Sequence, residues 1–127
     1  MEIVAALFLD DVQTRQVPGP ATRLDLTGVQ FSAPAPGPVP VTLEPHLMVL
    51  VWNRPGGDTL GALETRFLRD GEQIARNLQA FEVEPGRFSY RLVRAQLPFD
   101  DYGTVVAECR MGAGPVHVVP FTLLPPV

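Results

Sequence analysis

Apolar residues along this chain fall into short segments, and proline and glycine separate most of them. The 127 residues include 14 Pro and 11 Gly, so few uninterrupted segments exceed a dozen residues. Short segments of even spacing with turn residues between them are typical of β-sandwiches and barrels. About eight segments of this kind occur, with neither an internal repeat nor a second domain. The pattern predicts an all-β protein, an immunoglobulin-like two-sheet β-sandwich of about eight strands, as a single domain over 1–127.

Two predicted strands are apolar on both faces, at 2–9 (EIVAALFL) and at 46–52 (HLMVLVW). Such strands are typical of positions that are covered on both sides. They are therefore predicted to be either an inner strand in each sheet or part of a subunit interface. The last strand, 116–124, contains Pro120, which predicts a sheet edge or a bulge because proline cannot donate to a ladder.

Residues 60–79 predict a β-hairpin, because Asp70-Gly71 lies between two extended segments and is the pair that a type I′ turn favours. Leu63, Thr65 and Phe67 then face inward, whereas Glu64 and Arg66 face outward. A helix over 72–81 remains the alternative, since apolar residues of EQIARNLQAF also fall at helical spacing.

Several segments predict turns and connections. Residues 22–32 (TRLDLTGVQFS) begin with alternation and predict a half-buried strand, with a bulge or close approach at Gly28. Turn-rich VPGPAT (17–22) precedes this strand, and EPGR (84–87) predicts a type II turn with positive φ at Gly86. APAPGPVP (33–40) predicts a connector outside the ladders, because its prolines lack the N–H that pairing needs.

The segment 97–110, LPFDDYGTVVAECR, turns a corner into a strand and contains the only cysteine. Val105, Ala107 and Cys109 share one strand face with Met111, so Cys109 is predicted to be a buried, inert thiol. The D-x-G-T opening resembles the corner that leads into an inner strand of immunoglobulin-like domains. That pattern has a tyrosine where this chain has Val105 and a disulfide cysteine where it has Ala107, so the resemblance implies sandwich architecture only.

A second resemblance covers more of the chain. The segments ALFLDDVQ, LDLTGVQF, EPHLMVLVW, LPFDDYGTVV and VPFTLL are similar in order and spacing to a family of small uncharacterised bacterial β-sandwich proteins. The resemblance implies the sandwich fold and a bacterial origin, and it brings no catalytic residues with it.

Composition narrows the classes of partner. The net charge of −4 argues against nucleic acid, which needs clustered positive charge. All ten basic residues are Arg, which fits either an anion site or, as we favour, a G+C-rich genome. One cysteine cannot form an internal bridge and fits a reducing compartment. Residues 1–11 lack the positive start of a secretory signal, and no segment approaches the ~20 residues of a membrane helix. We therefore expect a cytoplasmic protein.

Few residues are candidates for a catalytic or metal-binding site. A nucleophile–base pair could be drawn only from a few residues: Ser32, Ser89 and Cys109, with His46 and His117. None of them lies in a recognisable catalytic motif, so we expect no catalytic residues and no cofactor. Zinc-ligand spacing is lacking. The weak candidates for a metal are two acidic pairs at predicted strand ends, Asp10 with Asp11 and Asp100 with Asp101, although such pairs are also common turn formers.

These observations favour a non-catalytic binding or assembly module of the bacterial cytoplasm, with a protein partner or self-association, such as a symmetric homodimer. The alternative is a small-ligand-binding protein or enzyme with its site at the acidic loop end of the sandwich.

Overall fold

The computed structural model describes residues 1–18 and 22–127, in which all regular structure is β and no helix occurs that could span a membrane. The turn predicted over 17–22 lies partly outside these residues. The twelve strands described are β1 (Glu2–Leu9), β2 (Asp11–Gln16), β3 (Thr22–Thr27), β4 (Ser32–Pro34), β5 (Val41–Leu43), β6 (His46–Trp52), β7 (Leu60–Arg69), β8 (Glu72–Glu82), β9 (Phe88–Arg94), β10 (Leu97–Phe99), β11 (Gly103–Met111) and β12 (His117–Leu124).

Two larger sheets pack face to face, which confirms the predicted all-β sandwich. The five-stranded sheet has the order β4-β12-β11-β7-β8, and the three-stranded sheet has the order β1-β6-β9. Two smaller antiparallel pairs, β5 with β10 and β2 with β3, complete the described topology. Only the β4–β12 pair is parallel within the described part of the chain.

Four strands, namely β2, β4, β5 and β10, were not among the eight predicted. β4 corrects two expectations, because the predicted strand over 22–32 stops at Thr27 and the predicted connector over 33–40 contains strand residues Ala33 and Pro34. Proline is tolerated there because β4 is an edge strand that pairs with β12 only over 32–34.

The main core lies between the two larger sheets. Phe8 and Phe121 meet edge to face across the sandwich, with ring centroids 5.2 Å apart, a favourable arrangement for aromatic pairs. Alternate residues of the central strands enter this core, including Leu47, Val49 and Val51 of β6. Burial of these side chains supplies most of the driving force for folding.

A second, smaller core lies on the outer face of the three-stranded sheet. Leu9 and Met48 are buried there beneath Val12 of β2, and Leu24 and Tyr90 pack at the margin. The β2–β3 hairpin is therefore a third layer. β6 is an inner strand, as predicted, whereas β1 is an edge strand of the same sheet and not an inner strand of the other. The outer faces of both strands are covered largely by this chain's own hairpin.

The β7–β8 hairpin is confirmed, and the helical alternative over 72–81 is wrong. Asp70 and Gly71 have φ values of 52° and 80°, as a type I′ turn requires at both central residues. Leu63, Thr65 and Phe67 are buried, as predicted. The strand prevails over the helix because β8 pairs with β7 along its length and places Phe81 in the main core.

The corner before β11 is held by Arg69. Its Nη2 donates to the carbonyl oxygen of Tyr102 at 2.7 Å, and its guanidinium lies over the Phe99 ring. Gly103 has a φ of 136°, and a Cβ there would lie 2.6 Å from Arg69 Nη2. The positive φ favours glycine at this position, and a side chain there would displace the Arg69 guanidinium.

Asn53 joins the loops that follow β6 and β8. Its buried side-chain amide donates to the carbonyl oxygens of Asp58 and Val83, each at 2.8 Å. Its own backbone carbonyl accepts from Gly86 at 2.7 Å. Gly86 has a φ of 77°, as the predicted turn at 84–87 requires.

Candidate functional site

The acidic pairs lie at exposed strand ends. Asp10 follows β1, and its backbone N–H donates to the carbonyls of Thr27 and Gly28 at 3.0 and 3.2 Å. A Cβ at Gly28 would overlap the Asp10 carboxylate, which confirms the predicted close approach at this glycine. Asp11 is exposed and opens β2 opposite Thr27. Asp10 thus fixes the β1–β2 corner.

Asp100 and Asp101 form an exposed bend between β10 and β11. The Asp101 carboxylate accepts a hydrogen bond from the Tyr102 backbone N–H at 2.8 Å, which is the ordinary use of aspartate in a turn. No three Asp, Glu, His or Cys side chains in 1–18 and 22–127 form a group that could hold a metal ion. The four candidate aspartates therefore occur as two separate turn-forming pairs.

Cys109 lies on the inner face of β11, fully buried with Val105, Ala107 and Met111. Burial raises the pKa of its thiol to about 11, and the thiol is therefore protonated at neutral pH. Thr65 faces it from β7 and opposes the shift, although the Thr65 hydroxyl has no partner of full hydrogen-bond geometry among the described residues. The prediction of a buried thiol is confirmed.

The candidate bases occupy different places. His117 is the direct cross-strand partner of Cys109, a juxtaposition that the sequence reasoning missed because it depends on the register of β11 against β12. The buried, protonated thiol cannot serve as its nucleophile, because the thiolate is the reactive form. His46 lies in the other sheet, at the start of β6, where its Nδ1 is 3.2 Å from the Asp10 carbonyl oxygen. Ser32 is exposed in β4, and Ser89 is half-buried in β9.

An aromatic patch lies on the outer face of the three-stranded sheet. It consists of Trp52, Phe88, Tyr90 and Leu92. The Trp52 and Phe88 rings lie 6.3 Å apart, and Phe88 and Leu92 are 61% and 37% exposed. Alternation in FSYRLVR, with apolar residues at every second position, is the sequence signal for this face, but alternation alone does not tell a buried face from an exposed one.

A cleft of about 650 Å³ separates the β2–β3 hairpin from the patch. Thr14 and Leu24 form one wall, and Leu50, Phe88 and Tyr90 form the other. The hydroxyls of Thr14 and Tyr90 approach to 3.5 Å across it. The hairpin therefore covers the sheet as far as Tyr90 and leaves Phe88 and Leu92 of β9 exposed.

The free edges of β8 and β9 lie together on one side of the sandwich, which we call the open side. β8 ends the five-stranded sheet and β9 ends the three-stranded sheet, and within the described ranges neither has a ladder partner on its outer edge. A groove of about 520 Å³ runs between the two sheets here, lined by residues that include Asn77, Arg76 and Arg94. Unpaired strand edges are templates for pairing with another chain.

The other outer edges of the two larger sheets are blunted. β4 is three residues long and contains Pro34. β12 lies between β11 and β4, but β4 pairs with it only over 122–124. The predicted edge therefore holds only for the part of β12 that contains Pro120. β1 has a register shift between Ile3 and Ala5, and bulges of this kind discourage edge pairing. β8 and β9 contain neither proline nor glycine. β8 has a register shift of its own, opposite Phe67 and Leu68, whereas the register of β9 with β6 is unbroken. Of the two edges on the open side, β9 is therefore the better suited to binding another strand.

No protein family, curated protein or solved structure matches this chain. The class that the geometry defines is a small all-β sandwich with an added hairpin layer.

Proposed function

We propose that this protein is a non-catalytic binding or assembly module, and that it works in the bacterial cytoplasm. The aromatic patch beside the free edge of β9 is the observation that carries the proposal. Large exposed aromatic side chains next to an unpaired edge are typical of protein-binding surfaces. The buried, unbridged Cys109 supports a reducing compartment.

The patch offers both components of strand recognition. The edge of β9 supplies main-chain donors and acceptors, and Phe88 and Leu92 supply apolar contact next to them. Binding by strand addition uses the main chain for affinity and alternate side chains for specificity. A protein segment in extended conformation is therefore the kind of partner that this surface suits.

Small-ligand binding at the acidic loop end is the second candidate, favoured by a cleft of about 310 Å³ that Asp10, Glu44 and His46 help to line. This volume is at the lower limit for ligand sites, which span roughly 300–1,000 Å³. The polar groups are also engaged already, since Glu44 pairs with Arg94 at 2.9 Å and His46 contacts the Asp10 carbonyl. We therefore favour the binding module.

Site-specific photo-crosslinking tests the proposal. A benzophenone amino acid replaces Phe88 in cells that make the protein, and the control replaces Phe31, which is 66% exposed outside the patch. We expect discrete adducts from position 88 that Leu92→Glu suppresses, and none of these adducts from position 31. Equal labelling from both positions, or no discrete adduct from position 88 in cells or in purified protein, would contradict the proposal.

A further inference from the structure

The main-chain hydrogen bonds at both ends of β9 establish which of its N–H and C=O groups point away from β6. The Arg87 carbonyl accepts from the Asn53 N–H at 2.9 Å, and the Ala95 N–H donates to the Pro45 carbonyl at 3.1 Å. The register between β6 and β9 is unbroken from one end to the other. Because antiparallel strands alternate strictly, the odd-numbered residues of β9 bond to β6.

The even-numbered residues of β9 therefore direct their N–H and C=O groups away from the sheet. Three of these residues, Phe88, Tyr90 and Leu92, are also the β9 members of the aromatic patch. Outward main-chain groups and exposed apolar side chains thus belong to the same residues. A strand added at this edge would bond to the residues whose side chains it also covers.

The spacing within β9 is self-complementary. When two copies of β9 pair antiparallel about Tyr90, Phe88 of each copy lies opposite Leu92 of the other, and Tyr90 lies opposite its own copy. In all three pairs, the residues bond to each other through the N–H and C=O groups that point away from β6. The apolar contact between Phe88 and Leu92 forms twice. A symmetric contact of this kind closes on itself and stops at two copies.

The positions of the arginines favour the register centred on Tyr90 over the one centred on Arg91. A register centred on Arg91 would overlap the whole strand, but it would place Arg91 opposite its own copy at the close spacing of a non-bonded pair. In the register centred on Tyr90, Arg91 lies opposite Ser89 and no arginine of 87–94 lies opposite another. A register centred on Phe88 would run into the turn at 84–87.

We propose that β9 is a self-association edge: a second copy of this chain pairs with it antiparallel about Tyr90, joining two three-stranded sheets into one six-stranded sheet. The proposal rests on the proposed binding function and names its partner. A pair of such short strands buries less surface than a standard interface, so the dimer is weak and depends on concentration. Arg91, whose guanidinium lies over the Phe81 ring, is held near the partner's Ser89.

Sedimentation velocity on purified protein over a wide concentration range tests the dimer. Leu92→Pro removes an outward N–H of β9 and should abolish association. The matched control is Leu78→Pro on β8. The Val83 N–H donates to the Thr59 carbonyl, so in the register with β7 the odd-numbered residues of this part of β8 bond to β7. The main-chain N–H of residue 78 therefore also points away from its sheet. Leu78 is 58% exposed, and this variant should still dimerise. Circular dichroism verifies that both variants are folded.

A variant that should strengthen the dimer tests the register without introducing a proline. Ser89→Glu would face Arg91 of the second copy twice per dimer, so the association constant should rise severalfold at low salt and return toward that of the natural protein at high salt. Adding Arg91→Gln should remove the gain.

Three results would overturn the inference: a monomer at every concentration, loss of the dimer in Leu78→Pro only, or no gain from Ser89→Glu. Discrete adducts between position 88 and a different protein, together with a monomer in sedimentation, would overturn the self-association and leave the binding function standing.

Discussion

At the residue scale, the Cys109 side chain is fully buried and its pKa is about 11. Thiol reagents attack through the thiolate, so the native protein should react slowly at neutral pH, and the denatured protein should react completely. The measurement is the rate of modification by a chromogenic disulfide with and without denaturant. Rapid modification of the native protein would contradict the burial of this thiol and reopen a catalytic role beside His117.

The same pKa predicts a pH dependence of stability. An unfolded cysteine has a pKa of about 8.5, so below this pH both states hold the proton and Cys109 adds no dependence. Between about 8.5 and 11 the unfolded state loses the proton first, and the free energy of unfolding should fall by up to about 1.4 kcal/mol per pH unit. Urea unfolding of the natural protein and of Cys109→Ala isolates this effect, because only the natural protein should show it.

Asn53 donates two hydrogen bonds from a fully buried side chain. Asn53→Ala would leave the carbonyls of Asp58 and Val83 without their donor in a buried site, at a cost of about 2–4 kcal/mol. Asn77→Ala is the control: the side-chain oxygens of both asparagines lack a hydrogen-bond partner among the described residues, whereas the two donated bonds belong to Asn53. Chemical denaturation measures both, and equal losses would contradict the role given to Asn53.

At the scale of the elements, the sequence predicted strands correctly where turn residues or a clear alternation of apolar and polar residues marked them. Asp70-Gly71 predicted the β7–β8 hairpin, and the alternating apolar residues of β11 predicted the burial of Cys109. The patterns failed for β4 and β5, three-residue strands that depend on partners far away in the chain. They also failed to predict that β3 ends at Thr27, where Gly28 leaves the extended conformation with a φ of 66° and the Asp10 N–H bonds to the carbonyls of Thr27 and Gly28. That contact joins residues far apart in the sequence.

The β7–β8 turn offers a test at this scale. Gly71→Ala places a side chain at a φ of 80°, where left-handed backbone costs about 1–2 kcal/mol, and the protein should lose about that much stability. Gly37→Ala is the control, since a Cβ there meets nothing within 4 Å and its φ lies outside the left-handed region. Thermal unfolding compares the two. A loss in Gly37→Ala equal to that in Gly71→Ala would refute the turn argument.

At the scale of the whole molecule, the third layer could not be predicted from the sequence. Apolar residues on both faces of β1 and β6 indicated that something covers each face, but the covering group could equally be a second sheet, a partner or the chain itself. The structure assigns the cover to the β2–β3 hairpin. The aromatic patch was missed for a related reason: periodicity shows that residues share a face, and only the packing of the layers shows which faces stay exposed.

The layers should also differ in stability. β2 and β3 form ladders only with each other in the described part of the chain, and Val12 is the hairpin's buried anchor in the small core. Elements with few buried contacts open locally, below the free energy of global unfolding. We therefore expect backbone amides of β2 and β3 to exchange hydrogen faster than those of β7 and β11, as hydrogen–deuterium exchange mass spectrometry would show.

A pair of matched variants separates local from global opening. Val12→Ala removes the anchor and should accelerate exchange in β2 and β3 while leaving β11 unchanged. Val119→Ala removes the same atoms from a side chain of similar exposure in the main core (9% against 8% for Val12), at a cost of about 1–3 kcal/mol. It should accelerate exchange throughout both larger sheets. If Val12→Ala accelerated β2 and β11 equally, the hairpin would unfold together with the sandwich, and its description as a separate layer would be wrong.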